Sequence, residues 1–203
     1  DLIPENVDDN AKYNCIGLVF KELVEVYPDE PHFRAHLSRY YSHIEKNYEK
    51  GISEARKAVN VAERQGEHDT LLYHIYGMSI RKFVEQKLYK EAKECKLFNE
   101  SKLLEEKLIE IKNYLALASE QFEKVRSTNN KIAGYISDIE MCIAVVDFGK
   151  ELYNKSTETF VAQHKESWMM MYYDRALTLL EGFRTIQVEE DTEFYKVRLQ
   201  VRC

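Results

Sequence analysis

Glycine and proline are scarce in this chain, with seven Gly and three Pro among 203 residues. Folds built from strands and tight turns need these residues at their hairpins, so the scarcity disfavours a sheet and favours long helices. Long apolar runs are also missing, since the best candidate, residues 141–146, ends at Asp147. A membrane-spanning helix needs about 20 apolar residues. We therefore expect no transmembrane helix, no signal peptide and no membrane partner.

The usual signatures of catalysis are missing as well. The chain has no G-x-x-x-x-G-K-[ST] phosphate loop, no G-x-G-x-x-G and no G-x-S-x-G sequence. Each of these motifs carries a specific chemistry, so we expect no enzyme activity and no cofactor in this chain. It begins at Asp1 rather than Met and ends at Cys203 within a periodic run, which is typical of a fragment cut from a larger protein.

Charge and cysteine usage restrict the partners and the compartment. The net charge of −6 is spread along the chain without a basic stripe, and such a stripe is the usual mark of a nucleic-acid-binding surface. The four cysteines are far apart and form no C-x-x-C pair: Cys15, Cys95, Cys142 and Cys203. Free thiols are typical of a reducing compartment, so we expect a cytoplasmic protein. Because the basic stripe is missing, we also expect that it binds no nucleic acid.

Amphipathic helices are what the chain contains instead, and residues 31–62 show them most clearly. Apolar residues recur there at steps of three and four, which places them on one face of each of two helices. Small residues at Gly51, Ala55 and Ala58 allow the second helix to approach a neighbour closely. The stretch predicts an antiparallel helix pair.

The same periodicity extends over the rest of the chain. It predicts further helices over residues 9–27, 69–98, 101–127, 131–153 and 168–183, and a final one that begins near Glu190. The total is seven or eight helices without a strand. Short connections imply that neighbouring helices are antiparallel, so the predicted class is all-α.

One helix carries a heptad pattern, with apolar residues that alternate at steps of four and three. The pattern consists of Leu104, Leu108, Ile111, Leu115, Ala118, Phe122 and Val125. It could form a coiled-coil seam through which the chain self-associates, or a packing stripe inside a helical array. Because neighbouring helices are plentiful, we favour the internal stripe.

The spacing of the helices resembles the tetratricopeptide repeat. A set of three packing residues, separated by four and then three positions, occurs three times: Ile16, Phe20 and Leu23; Gly51, Ala55 and Ala58; Ala118, Phe122 and Val125. The first-helix pattern of that family is matched by Leu37, Ser38 and Tyr41, and again by Tyr76, Gly77 and Ile80. The resemblance implies one α-solenoid domain over residues 1–203, a superhelix of antiparallel pairs. The pairs would be 31–62, 69–127 and 131–183, and helix 9–27 would close a preceding repeat.

The sequence departs from the family pattern in all three of these pairs. Pair 31–62 is one residue longer than the usual turn allows. An insertion between Gly77 and Ala118 lengthens both helices of pair 69–127, and pair 131–183 matches poorly.

A narrower resemblance extends from Glu25 to Leu152. The segments PHFRAHLSRYY, LLYHIYGMSIRK and NKIAGYISDIEMCI resemble the repeat region of signal-transducing STAND-type P-loop NTPases. These include the prokaryotic antiviral STAND sensors and the sterile-alpha-motif-domain-containing-protein-9 family. The resemblance implies a sensor domain in antiviral defence that recognises a protein ligand, such as a phage protein. It also implies contacts with other domains of the same polypeptide and oligomerisation of the full-length protein.

The repeat resemblance also locates a ligand-facing surface on the concave side of the first helices. The residues at the corresponding offsets are His32, Arg39, His43, His74, Met78, Arg81 and Lys82. This surface is basic to neutral in an acidic chain, so it suits a partner with acidic or aromatic contacts. The alternative is that its charged residues are ordinary solvated side chains on a structural scaffold.

Three histidines raise a metal-binding or enzymatic alternative. His32, His36 and His43 fall within about 40° of one another on an ideal helix, and two imidazoles one turn apart can share an ion. No H-E-x-x-H motif accompanies them and no carboxylate or thiol ligand lies near in sequence. We therefore predict no metal ligand among them.

Residues 168–173, WMMMYY, form the longest run of large apolar and aromatic side chains in the last quarter of the chain. Six successive residues cannot all face inward on one helix, so part of the run must lie on an interface or between two layers. The candidate interface residues are Trp168, Met169, Met170 and Tyr172.

Overall fold

The computed structural model describes residues 9–128 and 131–186. Every regular element within these two ranges is a helix and no strand occurs there, so the predicted all-α class is confirmed. None of the helices in this part of the chain is long and apolar enough to cross a membrane. The helix predicted to begin near Glu190 lies outside the described residues.

Nine α-helices and two π-helical turns make up the described ranges. The α-helices are α1 (Asp9–Val26), α2 (Pro31–Tyr40), α3 (Tyr48–Arg64), α4 (Thr70–Phe83), α5 (Tyr89–Leu97), α6 (Ser101–Arg126), α7 (Lys131–Tyr153), α8 (Thr157–Gln163) and α9 (Trp168–Arg184). The first π turn, Tyr41–Glu45, follows α2, and the second, Val84–Leu88, follows α4.

Contacts within the chain divide it into two compact units, Asp1–Phe83 and Val84–Cys203. Unit 1 contains α1 to α4, and unit 2 contains α5 to α9. The boundary falls inside the predicted pair 69–127. Helix α4 belongs to unit 1, whereas α5 and α6 belong to unit 2.

Two helix ends in unit 1 follow from local sequence chemistry. Helix α2 begins with Pro31, and the Glu30 carboxylate accepts a hydrogen bond from the backbone N–H of His32 at 3.1 Å, which satisfies a donor that the helix leaves free. After α3, Gly66 has a φ of 77° and the Glu67 N–H donates to the Ala62 carbonyl at 2.9 Å. Glycine adopts this left-handed conformation without the strain that a Cβ would bring, so Gly66 caps the C-terminus of α3.

Each helix of unit 1 packs against its neighbours in sequence, and α2 also packs against α4. Helix α2 contacts α1, α3 and α4, and α3 also contacts α4. A Cβ at Gly51 would overlap the Ser42 hydroxyl of the first π turn and lie 3.2 Å from the Ser38 carbonyl oxygen of α2, so α3 approaches its neighbours as closely as the small residues predicted. Between α2 and α4, the buried hydroxyls of Ser38 and Ser79 lie 3.0 Å apart. Because α2 and α4 touch directly, their outward side chains share one surface.

The first π turn explains how the longer connection of pair 31–62 is accommodated. A π turn holds one residue more than an α turn, so Tyr41–Glu45 accommodates an additional residue between α2 and α3. Lys46 then ends the turn in the left-handed conformation, with a φ of 55°. The turn extends α2 and places His43 beside the end of α4.

Helix α6 buries most of its heptad pattern inside unit 2. Ile111, Leu115, Ala118, Phe122 and Val125 are each at most 1% exposed, and α6 packs against α5 and α7. The stripe is therefore used for internal packing, which leaves little of it for a coiled-coil seam.

Asp138 on α7 connects three helices at the centre of unit 2. Its side chain is fully buried and is bound by Arg126 of α6 and by Arg175 of α9. Arg175 donates from Nε to Oδ1 at 3.2 Å and from its terminal nitrogen to Oδ2 at 2.7 Å. A buried carboxylate needs such compensation because losing its hydration is costly.

Candidate protein-contact surfaces

Two helices that are not consecutive bring five of the predicted ligand-facing residues together in unit 1. Helix α2 and the first π turn supply two of them, and α4 supplies three. We call this set the α2–α4 basic surface; it consists of Arg39, His43, His74, Arg81 and Lys82.

His43 is the point where the two helices meet on this surface. The Lys82 ammonium donates a hydrogen bond to His43 Nδ1 at 2.8 Å, which requires a lone pair on that nitrogen and therefore a neutral ring. Burial lowers the pKa of His43, and the positive charges of Lys82, Arg39 and Lys46 lower the pKa further. The ring is thus held in its neutral form by a cationic environment.

His74 lies in a similar environment on α4. Burial lowers its pKa first, and the charges of Arg39 and Arg81 lower it further. Arg39 is therefore close enough to influence histidines on both sides of the α2–α4 contact. Met78, one turn after His74, is half-buried and adds an apolar element to the same helix.

His32 has a different environment from the α2–α4 basic surface. Its Nδ1 lies 2.8 Å from Glu30 Oε1, and its Nε2 lies 3.0 Å from Asp69 Oδ2. Hydrogen bonding to Glu30 is the largest cause of the raised pKa of His32, and the bond to Asp69 also raises the pKa. Both ring nitrogens thus contact carboxylates of this unit, so His32 links the start of α2 to the start of α4.

The three histidines of the metal alternative are separated by their contacts. His32 binds Glu30 and Asp69, His36 stacks on the Phe20 ring with centroids 4.9 Å apart, and His43 accepts from Lys82. In the described ranges, no group of three or more His, Cys, Asp or Glu side chains could hold a metal ion.

The aromatic and methionine run of α9 divides between the core and a groove. Met169 and Met170 are 1% and 6% exposed and belong to the core of unit 2. Trp168 and Tyr172 are half-buried, with their rings edge to face and centroids 5.9 Å apart. Met171, which sequence reasoning did not select, is 67% exposed. Helical periodicity decides this division, because neighbours in sequence are about 100° apart.

Trp168, Met171, Tyr172 and Arg175 form one wall of a groove of about 410 Å³ between α9 and α6. The opposite wall is made by α6, where the small residues Ala116 and Ser119 leave the space open. Burial raises the pKa of Tyr172 to about 12, so its phenol stays neutral and can donate a hydrogen bond. We call this space the α6–α9 groove.

A wider cleft of about 730 Å³ lies at the start of α2 and along α3. Two of its basic side chains are already paired, since Arg34 and Lys57 bind Glu54 at 3.1 Å and 2.6 Å. The charges of Arg34 and Lys57 are thus matched by Glu54, and we assign no chemistry to the cleft.

Comparison with known proteins identifies no relative: no family model, no curated protein and no solved structure matches this chain. The resemblance to tetratricopeptide repeats therefore stays an expectation from motif spacing.

Proposed function

We propose that unit 1 is a protein-binding module and that it recognises its partner on the α2–α4 basic surface. The observation that carries the proposal is the convergence of Arg39, His43 and Lys82 from two helices that are not consecutive. Charge complementarity sets specificity and association rate at protein interfaces, so the surface favours a partner that presents acidic or aromatic groups.

The setting of this module is also part of the proposal. The STAND-like motifs support a sensor in a larger cytoplasmic defence NTPase, in which binding of a viral or phage protein changes the state of another domain. The described cysteines, Cys15, Cys95 and Cys142, are free thiols, as expected in a reducing compartment. A phosphate-loop motif in the open reading frame that encodes this chain would support the NTPase setting, and a complete reading frame without one would overturn it.

Charge reversal tests the contact surface. Arg39→Glu combined with Arg81→Glu should reduce capture of a partner identified by mass spectrometry at least tenfold, because it opposes the charge of the surface. Nuclease treatment of the lysate excludes bridging by nucleic acid. Arg56→Glu is the matched control, since Arg56 is an exposed arginine on α3. Equal capture by the double variant and the control would overturn the proposal.

Site-specific photocrosslinking provides a second readout that does not depend on charge reversal. A benzoylphenylalanine at position 39 should crosslink to the same partner, and one at position 56 should not. Circular dichroism of each variant verifies the helical fold. Crosslinking at position 56 alone would place the contact on α3 and contradict the proposal.

A further inference from the structure

The contact between His43 and Lys82 joins a titratable ring to an ammonium group on the α2–α4 basic surface. Lys82 Nζ lies 2.8 Å from His43 Nδ1, so the donor occupies the lone pair at which a neutral ring takes up a proton. Protonation of His43 would bring two positive charges together with no acceptor between them. The contact therefore requires a neutral His43 ring. His43 also stands in the middle of the first π turn, and π turns are rare and often occur at functional sites.

The surroundings of His43 favour the neutral ring and make the surface positive. Burial lowers the pKa of His43, and the charges of Lys82, Arg39 and Lys46 lower it further. Arg39 and Lys46 are both exposed. Within residues 9–128 and 131–186, neither of these two side chains forms an ion pair with a carboxylate. Their charges are therefore available to a partner.

The other charged side chains beside the first π turn have contacts of their own. Glu45, the carboxylate of the turn, lies 3.3 Å from the ammonium of Lys21 on α1. On α3, the Lys50 ammonium lies over the Tyr41 ring, 5.4 Å from its centroid. Among the described residues, the charges that shift the pKa of His43 are all cations. An acidic group brought by a partner would therefore change the electrostatic environment of the ring.

The packing of α2 on α4 does not depend on the contact between His43 and Lys82. On the buried side of the same helix pair, the Ser38 and Ser79 hydroxyls lie 3.0 Å apart. His43 is exposed and Lys82 is half-buried, and a lysine side chain is long and flexible. Protonation of His43 is thus accommodated by movement of the Lys82 side chain while the helices stay together.

A carboxylate of a partner would satisfy both groups once His43 is protonated. Protonated His43 and Lys82 are both donors, so an anion between them replaces a repulsion by two charge-assisted hydrogen bonds. The bound anion in turn favours the charged ring, because an opposite charge nearby raises the pKa of a histidine. Binding of an acidic group and uptake of a proton therefore strengthen each other.

We propose that the α2–α4 basic surface binds an acidic peptide segment of its partner together with one proton, which His43 takes up from solvent at Nδ1 while Lys82 turns to the peptide carboxylates. This inference rests on the proposed function, since it names the chemistry of the partner and the regulation of the same surface. Binding should therefore strengthen as the pH falls.

Calorimetric titration with an acidic peptide tests the coupling. The probe is acetyl-hexaaspartyl amide, whose carboxylates stay ionised at pH 5.5 because the ordinary pKa of aspartate is about 3.9. At low salt we expect binding at least fivefold tighter at pH 5.5 than at pH 7.5. Titrations at pH 6.5 in two buffers of different ionisation enthalpy count the protons taken up, and we expect about one per peptide bound. Circular dichroism at both pH values verifies the fold.

Two histidine variants locate the coupling. His43→Gln keeps an oxygen acceptor for Lys82 but takes up no proton. It should bind the peptide like the parent at pH 7.5, to within twofold, and gain less than twofold at pH 5.5. His36→Gln is the matched control and should keep the fivefold gain. His36 is an exposed histidine of the same helix, and its ring stacks on Phe20.

Three outcomes would overturn the inference: a gain at pH 5.5 that His43→Gln retains, binding without proton uptake, and no binding of the peptide at either pH. The capture and crosslinking experiments at positions 39 and 56 use the natural partner at one pH. Capture that depends on Arg39 and Arg81 but is unchanged between pH 7.5 and pH 5.5 would leave the proposed function standing and refute the coupling alone.

Discussion

The His32 imidazole lies with Nε2 3.0 Å from Asp69 Oδ2, and this contact ties the start of α2 to the start of α4 across 37 residues of sequence. Its other nitrogen faces Glu30 at 2.8 Å, so a protonated ring donates to a carboxylate on each side. The contact links the two helices that carry the α2–α4 basic surface.

The stability of unit 1 should depend on pH through His32. Its pKa is raised in the folded state, so its contribution is fully present below the ordinary pKa of about 6.5 and is lost as pH rises through the raised pKa. His32→Gln should therefore destabilise more at pH 6 than at pH 9, by less than about 1 kcal/mol because the ring is partly exposed. Urea unfolding over this range measures the difference.

His36 supplies a control of opposite sign for that experiment. Burial lowers its pKa, so its contribution is present above the ordinary pKa and is lost as pH falls. His36→Gln should cost less stability at pH 6 than at pH 9. The same pH trend in both histidine variants would contradict the assignment of His32.

Removing the charge of Asp138 should destabilise unit 2 strongly. Asp138→Asn leaves Arg126 and Arg175 without their shared carboxylate, and breaking a buried ion pair in this way costs about 3 kcal/mol. Urea unfolding followed by circular dichroism measures the loss. Lys150→Met removes an exposed i,i+3 pair with Asp147 and should change stability by less than about 0.5 kcal/mol. Equal effects would mean that the buried cluster contributes no more than a surface pair.

Gly134 allows α7 to approach α6 at the level of backbone atoms. A Cβ there would lie 2.8 Å from the Phe122 carbonyl oxygen and 2.9 Å from the Arg126 backbone nitrogen, so the helices would have to separate. We expect Gly134→Ala to destabilise by about 2 kcal/mol despite the higher helix propensity of alanine. Thermal unfolding measures this effect.

Gly182→Ala is the comparison for Gly134→Ala. Its nearest neighbour would be the Tyr135 hydroxyl at 3.0 Å, the tip of a side chain that can move. The Gly182 variant should retain the stability of the parent to within about 0.5 kcal/mol. A larger loss at Gly182 than at Gly134 would refute the close approach of α6 and α7.

The three described cysteines should differ in their reactivity. Cys15 is exposed, whereas Cys95 and Cys142 are buried, and burial raises the pKa of both buried thiols. Because the thiolate is the reactive form, we expect Cys15 to react with a disulfide reagent at least 100-fold faster than Cys142. Labelling in a Cys203→Ser background, followed by peptide mass spectrometry, gives each rate. Rapid labelling of native Cys142 would show that α7 is less buried than described.

Residue periodicity predicted the helices well because it is a local signal. The stretch 31–62 was expected to form two helices with a close approach at Gly51, and α2, the first π turn and α3 fulfil that expectation. The π turn itself was not predicted. The only sign of the π turn in the sequence is one extra residue relative to the tetratricopeptide spacing. A longer loop would account for that residue equally well.

The candidate surfaces could be predicted only in part. The repeat offsets selected Arg39, His43 and Lys82, which the structure places together, but they also selected His32, whose acceptor Asp69 is distant in sequence. The run 168–173 indicated that some side chains lie on an interface. It did not indicate which, because that depends on how α9 is rotated against α7 and α6.

The sequence by itself determined the all-α class and the positions of most helices, since helical periodicity, caps and turns depend on neighbours a few residues away. It did not predict the short helix α8 or the π turn that divides 69–98 into α4 and α5. Tertiary structure alone decided which side chains meet. The pairing of Asp138 with Arg175 and that of His32 with Asp69 each span 37 residues. A local pattern leaves such distant partners open, because they depend on the angle and rotation at which helices pack.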